Sequence, residues 1–334
     1  FSRSRLPINT SCPAFIHLEA KPLPSEPVPP RIAIFIEILL FIIEAIIQIN
    51  SQVIADKKEK FVNFAYQFII YNYVKRNNLG MINLKNKSIV VTGGTRGIGV
   101  EITKTFLRHD AVVFILARQK PKKLIQAKGN KAIFVECDIR DINSIDAAVK
   151  KIKTNTKSID VLINNAGGAP LVNSLSVSNR FHEAIIDLNL TAPLNVSQRF
   201  AKIMIKQKSV SNIINISSVT ANRPTPGSAA YGAAKGGLVN LTKTLAVEWA
   251  PKIKVNSIVV GYIETENSII HYGSKKEMNK IAKTIPMKRM GKPSDIANAC
   301  LFFVSDLSEW VTGASLDVHG GGEKPSYLEV AKPK

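Results

Sequence analysis

From residue 81 onward, short unbroken apolar runs alternate with stretches whose apolar residues recur at three- and four-residue spacing. The runs are Ser88–Thr92, Ala111–Ala117, Ala132–Asp138, Asp160–Asn165, Asn212–Ser217, Val255–Val260 and Ser315–His319. Most are rich in Val and Ile, as expected of parallel strands covered on both sides, while Ser315–His319 alternates polar and apolar residues. Helices are predicted between them at Val100–Arg108 and Ile142–Thr154, in a long element ending near Lys208, and from the Tyr231 region to Trp249. This rhythm predicts an α/β fold of the Rossmann type, a doubly wound parallel sheet in a single domain over residues 81–322, with a tail at 323–334. Residues 262–290 break the rhythm and read as a mobile lid after the sixth strand.

Residues 1–80 follow another pattern. Pro22, Pro24, Pro27, Pro29 and Pro30 interrupt the first thirty positions, which read as disordered. Ile32–Ile49 is an apolar run at the short end for a bilayer span, and Glu37 and Glu44 stand inside it. Each charged carboxylate would cost roughly 2.5–3.5 kcal/mol near a membrane centre. A cytoplasmic protein is therefore expected, with a membrane-surface helix over 32–49 as the alternative. The run is preceded by about thirty residues and followed by no small-residue cleavage motif, unlike a signal peptide. The sequence begins at Phe1, and Met81 directly precedes the first strand. One expectation is that the domain starts at Met81 and that 1–80 is upstream read-through, which mass spectrometry of the mature terminus would test.

Charge adds less than its size suggests. The formal net charge is +20, but 33 of the 45 basic residues are lysines spread along the chain. Nucleic-acid binding would call for clustered Arg and Lys with stacking aromatics, so none is expected. Cys12, Cys137 and Cys300 are too scattered for a disulfide framework or a metal motif, which favours a reducing compartment. His109 and His182 have no second ligand at metal-binding spacing, and no metal is expected. Cys300 reads as core, Trp249 as packing, and His319 as packing or interface.

Candidate chemistry begins at the end of the first strand. Thr92-Gly93-Gly94-Thr95-Arg96-Gly97-Ile98-Gly99 joins a strand to a helix, as a dinucleotide phosphate loop requires. Gly93 permits the turn, and Gly97 and Gly99 let backbone and pyrophosphate approach. The second strand ends in Ala117-Arg118, where an NAD-preferring domain would place an acid. With Arg96 in the loop, this favours the 2′-phosphate of NADP(H), with NAD(H) as the alternative. Asp138, followed by Ile139, is placed to meet the adenine. Tyr231 and Lys235 lie one helical turn apart, and Ser218 stands thirteen residues earlier. A nearby ammonium is expected to bring a tyrosine pKa of roughly 10 toward neutrality, making Tyr231 a general acid/base for a carbonyl.

These residues resemble the short-chain dehydrogenase/reductase family, from about Asn83 to Gly321. The resemblance matches the family's glycine loop to Thr92–Gly99 and its sheet-bracing motif to Asn164-Asn165-Ala166-Gly167. Its catalytic tetrad falls on Asn189, Ser218, Tyr231 and Lys235. It implies that Lys235 also binds the nicotinamide ribose, that Ser218 holds the substrate oxygen, and that Asn189 holds a water leading to Lys235. The family's Pro-Gly pair is Val260-Gly261 here, followed by Ile263 and Thr265 at cofactor-contact positions. Pro286–Ala297 and Trp310–Gly321 resemble segments of bacterial 3-oxoacyl-carrier-protein reductases, relatives of which act on sugars, terpenols and steroids. The implied substrate is a carbonyl or alcohol, with a 3-oxoacyl thioester on acyl carrier protein or CoA the leading candidate. A catalytically idle membrane-tethered scaffold is the rival. The implied assembly is a homotetramer, with a dimer as alternative, formed by Ala184–Lys208 and Ala229–Trp249 through Val196, Leu238, Leu241 and Leu245.

Overall fold

The computed structural model describes residues 82, 84–323, 325 and 327–331. The expectations of disorder at 1–31, of a membrane-surface helix at 32–49 and of a start at Met81 fall outside these residues. Among the described residues, no helix is long and apolar enough to cross a membrane.

The elements run β1 (Ser88–Thr92), α1 (Gly97–Arg108), β2 (Val112–Ala117), β3 (Gln126–Ala127), β4 (Asn130–Lys131), β5 (Ile133–Glu136), α2 (Ile142–Lys153) and β6 (Val161–Asn164). They continue as α3 (Asn179–Ile186), α4 (Ala192–Met204), β7 (Ser211–Ile216), α5 (Ala229–Trp249) and β8 (Ile253–Val260). The last are α6 (Ser268–Tyr272), α7 (Lys275–Thr284), α8 (Pro293–Val304), β9 (Ser315–Val318) and α9 (Tyr327–Val330). Seven strands form one sheet in the order β5-β2-β1-β6-β7-β8-β9, and every pair in it is parallel. β3 and β4 form a separate two-stranded antiparallel hairpin just before β5.

Strand parity explains why the apolar runs are unbroken. Ile89, Val91, Val113, Ile115, Val161 and Ile163 face a core shared with Ile102 and Phe106 of α1 and Ile296 and Phe303 of α8. The alternate residues Val90, Phe114, Leu116 and Leu162 face a second core with Ile145 of α2, Phe200 of α4 and Leu245 of α5. Both faces are covered, so both sets are mainly apolar, and buried polar strand residues such as Asn164, Asn215 and Ser257 are hydrogen-bonded. Each fully buried Ile or Phe contributes about 1.5–3 kcal/mol of transfer free energy. Cys300 lies in the first core and is fully buried, as expected, and Trp249 packs against the second.

Two expectations are corrected. The long predicted helix is two helices, α3 and α4, joined by a π-helical segment at Asp187–Thr191, and it ends at Met204. Val196 and Leu238 are fully buried within one chain and Leu245 is nearly so, so these three are not the subunit contacts; Leu241 packs half-buried against the same core. Their helical spacing fits the underside that meets the sheet, and the outer face of α5 instead exposes Val247. The lid segment contains α6 and α7 and has its own apolar cluster of Met278, Ile285 and Met290, with Tyr262, Tyr272 and Ile281 against it.

The chain leaves β1 toward β2 on one side of the sheet, while β6 adds on the other. Ligands bind such folds in the crevice outside the carboxyl ends at this switch of direction. Thr92, Asn164 and Ile216 end three of the strands that open onto it.

Candidate active site

The glycine loop is fastened across the crevice. Thr92 Oγ1 accepts from the backbone N–H groups of Asn165 and Ala166, both at 3.0 Å. Asn165 Nδ2 donates back to Thr92 O at 2.9 Å and Gly93 O at 3.2 Å. Gly93 and Gly97 have φ of 66° and 55°, values that favour glycine. A Cβ on Gly99 would lie 2.2 Å from Gly93 O, so the loop closes only without that atom. The N–H groups of the first turn of α1 lack intrahelical partners, and the turn contains no acid. Thr95 and Ile98 complete the loop beside them. This cradle fits a pyrophosphate, since it pairs a helix N-terminus with close backbone approach.

Arg96 and Arg118 are both exposed, one at the head of α1 and the other just past β2. Asp138, past β5, pairs with Arg140 at 2.8 Å. That hydrogen bond is the main cause holding the Asp138 carboxyl below the usual range, with Arg118 contributing at a distance. Ile139 is buried next to it. On the other side of the crevice, a Cβ on Gly261 would lie 2.6 Å from His319 Cβ. Ile263 is buried and bridges to Gly291, and the Thr265 N–H donates to Ser268 Oγ at 2.7 Å.

The tetrad residues come from three places in the fold: the π-helical segment, the turn after β7 and helix α5. Asn189 sits in the π-helical segment and is fully buried. Its Nδ2 donates to Ile185 O at 2.9 Å and Gly168 O at 3.0 Å, and its Oδ1 accepts from Gly168 N at 2.9 Å. A π-helical turn inserts one extra residue, and such turns are frequent at functional sites. Ser218 follows β7 and accepts from Thr220 N at 3.3 Å. Tyr231 and Lys235 lie on α5, and Lys235 Nζ is 5.6 Å from the Tyr231 ring centre. A Cβ on Gly167 would lie 2.7 Å from Asn189 Oδ1 and 3.3 Å from Lys235 Nζ, so three expected site residues converge there.

The electrostatics differ from expectation. Burial is the largest influence on Tyr231 and pushes its pKa up to about 12; a hydrogen bond with Ser218 opposes this. The ring is half-buried among protein atoms, and the Lys235 ammonium is not among the influences on its proton. Lys235 Nζ is directed elsewhere, donating to Ile216 O at 2.8 Å. Its own pKa is lowered to about 8 by burial. Reach along one helix turn therefore does not by itself make this tyrosine acidic.

Several residues at the site carried no signal in a single sequence. Pro170, Val172, Phe181, His182 and Ile185 line a narrow cleft with Tyr231. Tyr272 adds to the upward push on the Tyr231 pKa and stacks edge-on against Tyr262 at 5.6 Å. A second recess of about 170 Å³ is lined by Asn222, Arg223, Tyr262, Asp317, His319 and Glu323. There Arg223 pairs with Glu323 and donates to Tyr262 Oη at 3.0 Å. Glu266 accepts from the Gly97 N–H at 2.7 Å. Only its place directly after Thr265 could have drawn attention to Glu266.

Residues 93–323 match the family model described as Enoyl-(Acyl carrier protein) reductase. The chain is 34% identical over 262 residues to Oxidoreductase UcpA of Salmonella typhimurium, covering 75% of this chain and 99% of that protein. It is 36% identical over 245 residues to the 3-oxoacyl-[acyl-carrier-protein] reductase FabG of Chlamydia muridarum, covering 71% of this chain and 98% of the relative. Among solved structures, it resembles the ligand-free aldohexose dehydrogenase of Thermoplasma acidophilum with a TM-score of 0.67 and 30% identity, over 75% of this chain and 97% of that one. The chain belongs to the short-chain dehydrogenase/reductase family: it is an oxidoreductase that transfers hydride between a carbonyl and an alcohol on an NAD(P)-binding Rossmann fold.

Proposed function

We propose that this enzyme is an NADP(H)-dependent carbonyl reductase of 3-oxoacyl thioesters, carried on acyl carrier protein or CoA. The observation that carries the catalytic part is the convergence of Asn189, Lys235 and Tyr231 around Gly167 and Ser218 at the carboxyl end of the sheet. The nicotinamide cofactor supplies the hydride when it is bound. Ser218 holds the substrate oxygen and shares the charge that develops on it. Tyr231 donates its proton to that oxygen, and a pKa far above neutrality keeps the proton in place for donation. Lys235 holds the nicotinamide ribose and supports Tyr231, and Asn189 holds a water that leads the replacement proton toward Lys235.

The cofactor is contacted by Thr92, Gly93, Thr95, Arg96, Gly97, Ile98 and Gly99, by Asn165, Ala166 and Gly167, and by Gly261, Ile263 and Thr265. Preference for NADP(H) rests on the two exposed guanidiniums at Arg96 and Arg118 and on Arg140's hold on Asp138, which lies nearest the adenosine end. Preference for an acyl thioester rests on the lid, where buried Ile263 and Met278 adjoin a rim carrying Lys276, Lys280 and Lys283. The FabG relative supports the same substrate class. Within this reading the domain spans 81–322, works in the cytoplasm and assembles as a homotetramer through the outer face of α5.

One observation favours a sugar instead. The recess brings Arg223, Asp317, His319 and Glu323 together as hydrogen-bonding groups for hydroxyls, and the aldohexose dehydrogenase shares the fold. Specificity constants under NADPH for an acetoacetyl thioester, a simple ketone, a cyclic ketone and an aldohexose decide between them. The acyl reading expects the thioester to lead, and a thioester turned over no faster than the simple ketone removes it. Repeating the leading substrate with NADH tests the cofactor: the Arg96 and Arg118 argument expects at least a tenfold preference for NADPH.

A further inference from the structure

One anion already sits on the glycine loop. Glu266 Oε1 accepts from the Gly97 N–H at 2.7 Å, although the two residues are 169 positions apart. Gly97 opens α1, so its N–H is one of the unpaired groups of the helix end, where partial positive charge attracts anions. The segment carrying Glu266 also lies over the same glycine. Thr265 Cγ2 is 3.7 Å from where a Gly97 Cβ would stand. Among the described residues no lysine or arginine forms a salt bridge with Glu266, although Arg96 is the next residue along the loop. The carboxylate is held by the helix end itself.

We infer that Glu266 competes for the phosphate place of the dinucleotide, and that the cofactor must displace it to bind; this rests on reading the loop as the dinucleotide site. A carboxylate and a phosphate cannot share one N–H donor, and their like charges oppose joint occupancy. Glu266 stands between Thr265 and α6, in a segment tied to itself by the Thr265–Ser268 bond and to Gly291 by the Ile263 bridge. Its bond to Gly97 therefore latches the start of the lid to the phosphate loop. Entry of the dinucleotide breaks that latch, so the Glu266–Gly97 bond and the bound cofactor are alternatives, while the Ile263 bridge keeps the start of the lid in place. The contact is exposed, so the exchange needs no unfolding of the core.

The test is the dissociation constant of NADPH, read by its fluorescence with the full chain and no carbonyl substrate. Glu266→Gln removes the charge but keeps an acceptor, and Glu266→Ala removes both. An exposed charge-assisted hydrogen bond sets the expected gain, and NADPH should bind roughly three- to tenfold tighter to the alanine variant. Glu264→Gln removes an equal charge two residues away, from a side chain engaged by Lys275, and is expected to change affinity less than about twofold because screened surface charges act weakly at a distance. Adenosine 2′-phosphate lacks the pyrophosphate, and its affinity should be the same for wild type and all three variants.

Unchanged NADPH affinity in both Glu266 variants overturns the inference. So does equal tightening by Glu264→Gln, or equal tightening of adenosine 2′-phosphate, because either reports general charge rather than a shared donor. Failure of the wild type and every variant to bind NADPH is a different result, and it overturns the dinucleotide reading itself. Hydrogen exchange gives a second readout. Without cofactor, Glu266→Ala should speed exchange of the Gly97 amide, whose N–H the carboxylate holds in the wild type; unchanged exchange there contradicts the latch.

Discussion

Replacing Lys235 by methionine should separate the stability of this enzyme from its activity. The ammonium is buried, with one hydrogen bond to Ile216 O at 2.8 Å, and burial lowers its pKa from 10.5 to about 8. Between those values the unfolded chain still holds a proton that the folded chain has released. Stability therefore rises with pH through that window, while below about 8 the full penalty for the buried charge is present. At about 1.4 kcal/mol per pH unit, the whole penalty is roughly 3 kcal/mol. Methionine fills a similar length without the charge and forfeits a hydrogen bond worth roughly 1.5–3 kcal/mol. At pH 7 the variant should accordingly match the wild type or exceed it by about 1 kcal/mol, while losing turnover. Urea unfolding of both proteins at pH 7, 8, 9 and 10, at one protein concentration and without cofactor, checks this. The wild type should gain on the variant by about 1.4 kcal/mol per unit above pH 8. Parallel stabilities across the range, or a variant destabilised by several kcal/mol at pH 7, would refute the reasoning.

Three other substitutions probe the loop and the helix assignment. Gly99→Ala would place a methyl 2.2 Å from Gly93 O, so NADPH affinity should fall by roughly tenfold or more and the melting temperature should also drop, as calorimetry and fluorescence titration can read together. Leu238→Asp puts a carboxylate in the fully buried underside of α5 and should prevent folding, as circular dichroism would show. Val247→Asp, on the outer face where the side chain is 82% exposed, should leave the fold intact and reduce the assembly size seen by light scattering.

Strand positions were legible because the chemistry is redundant. Val90 faces one core and Ile89 the other, so each apolar run identifies a strand without knowledge of its neighbours. The cofactor loop was legible for a similar local reason, since Gly93, Gly97 and Gly99 answer backbone needs within a single turn. The π-helical turn at Asn189 was not, because it depends on bonds to Gly168, twenty-one residues earlier. Spacing placed Lys235 within reach of Tyr231 but could not show that its ammonium turns to Ile216 O on a neighbouring strand. The leucines of α5 were misassigned because an apolar stripe looks the same whether it meets a sheet or a partner subunit. Arg223 and Glu266 act through residues 39 or more positions away, so nothing near them in sequence marks them.

The central claim is that Tyr231 delivers the proton while hydride reaches the carbonyl carbon. It is tested most directly by single-turnover oxidation of bound NADPH on mixing with the best carbonyl substrate, comparing wild type with Tyr231→Phe. Removing the hydroxyl should slow hydride transfer by about 10²–10⁴-fold, the range for loss of a positioned general acid, with the NADPH dissociation constant changed less than about twofold. Hydride transfer by Tyr231→Phe at the wild-type rate would contradict the account.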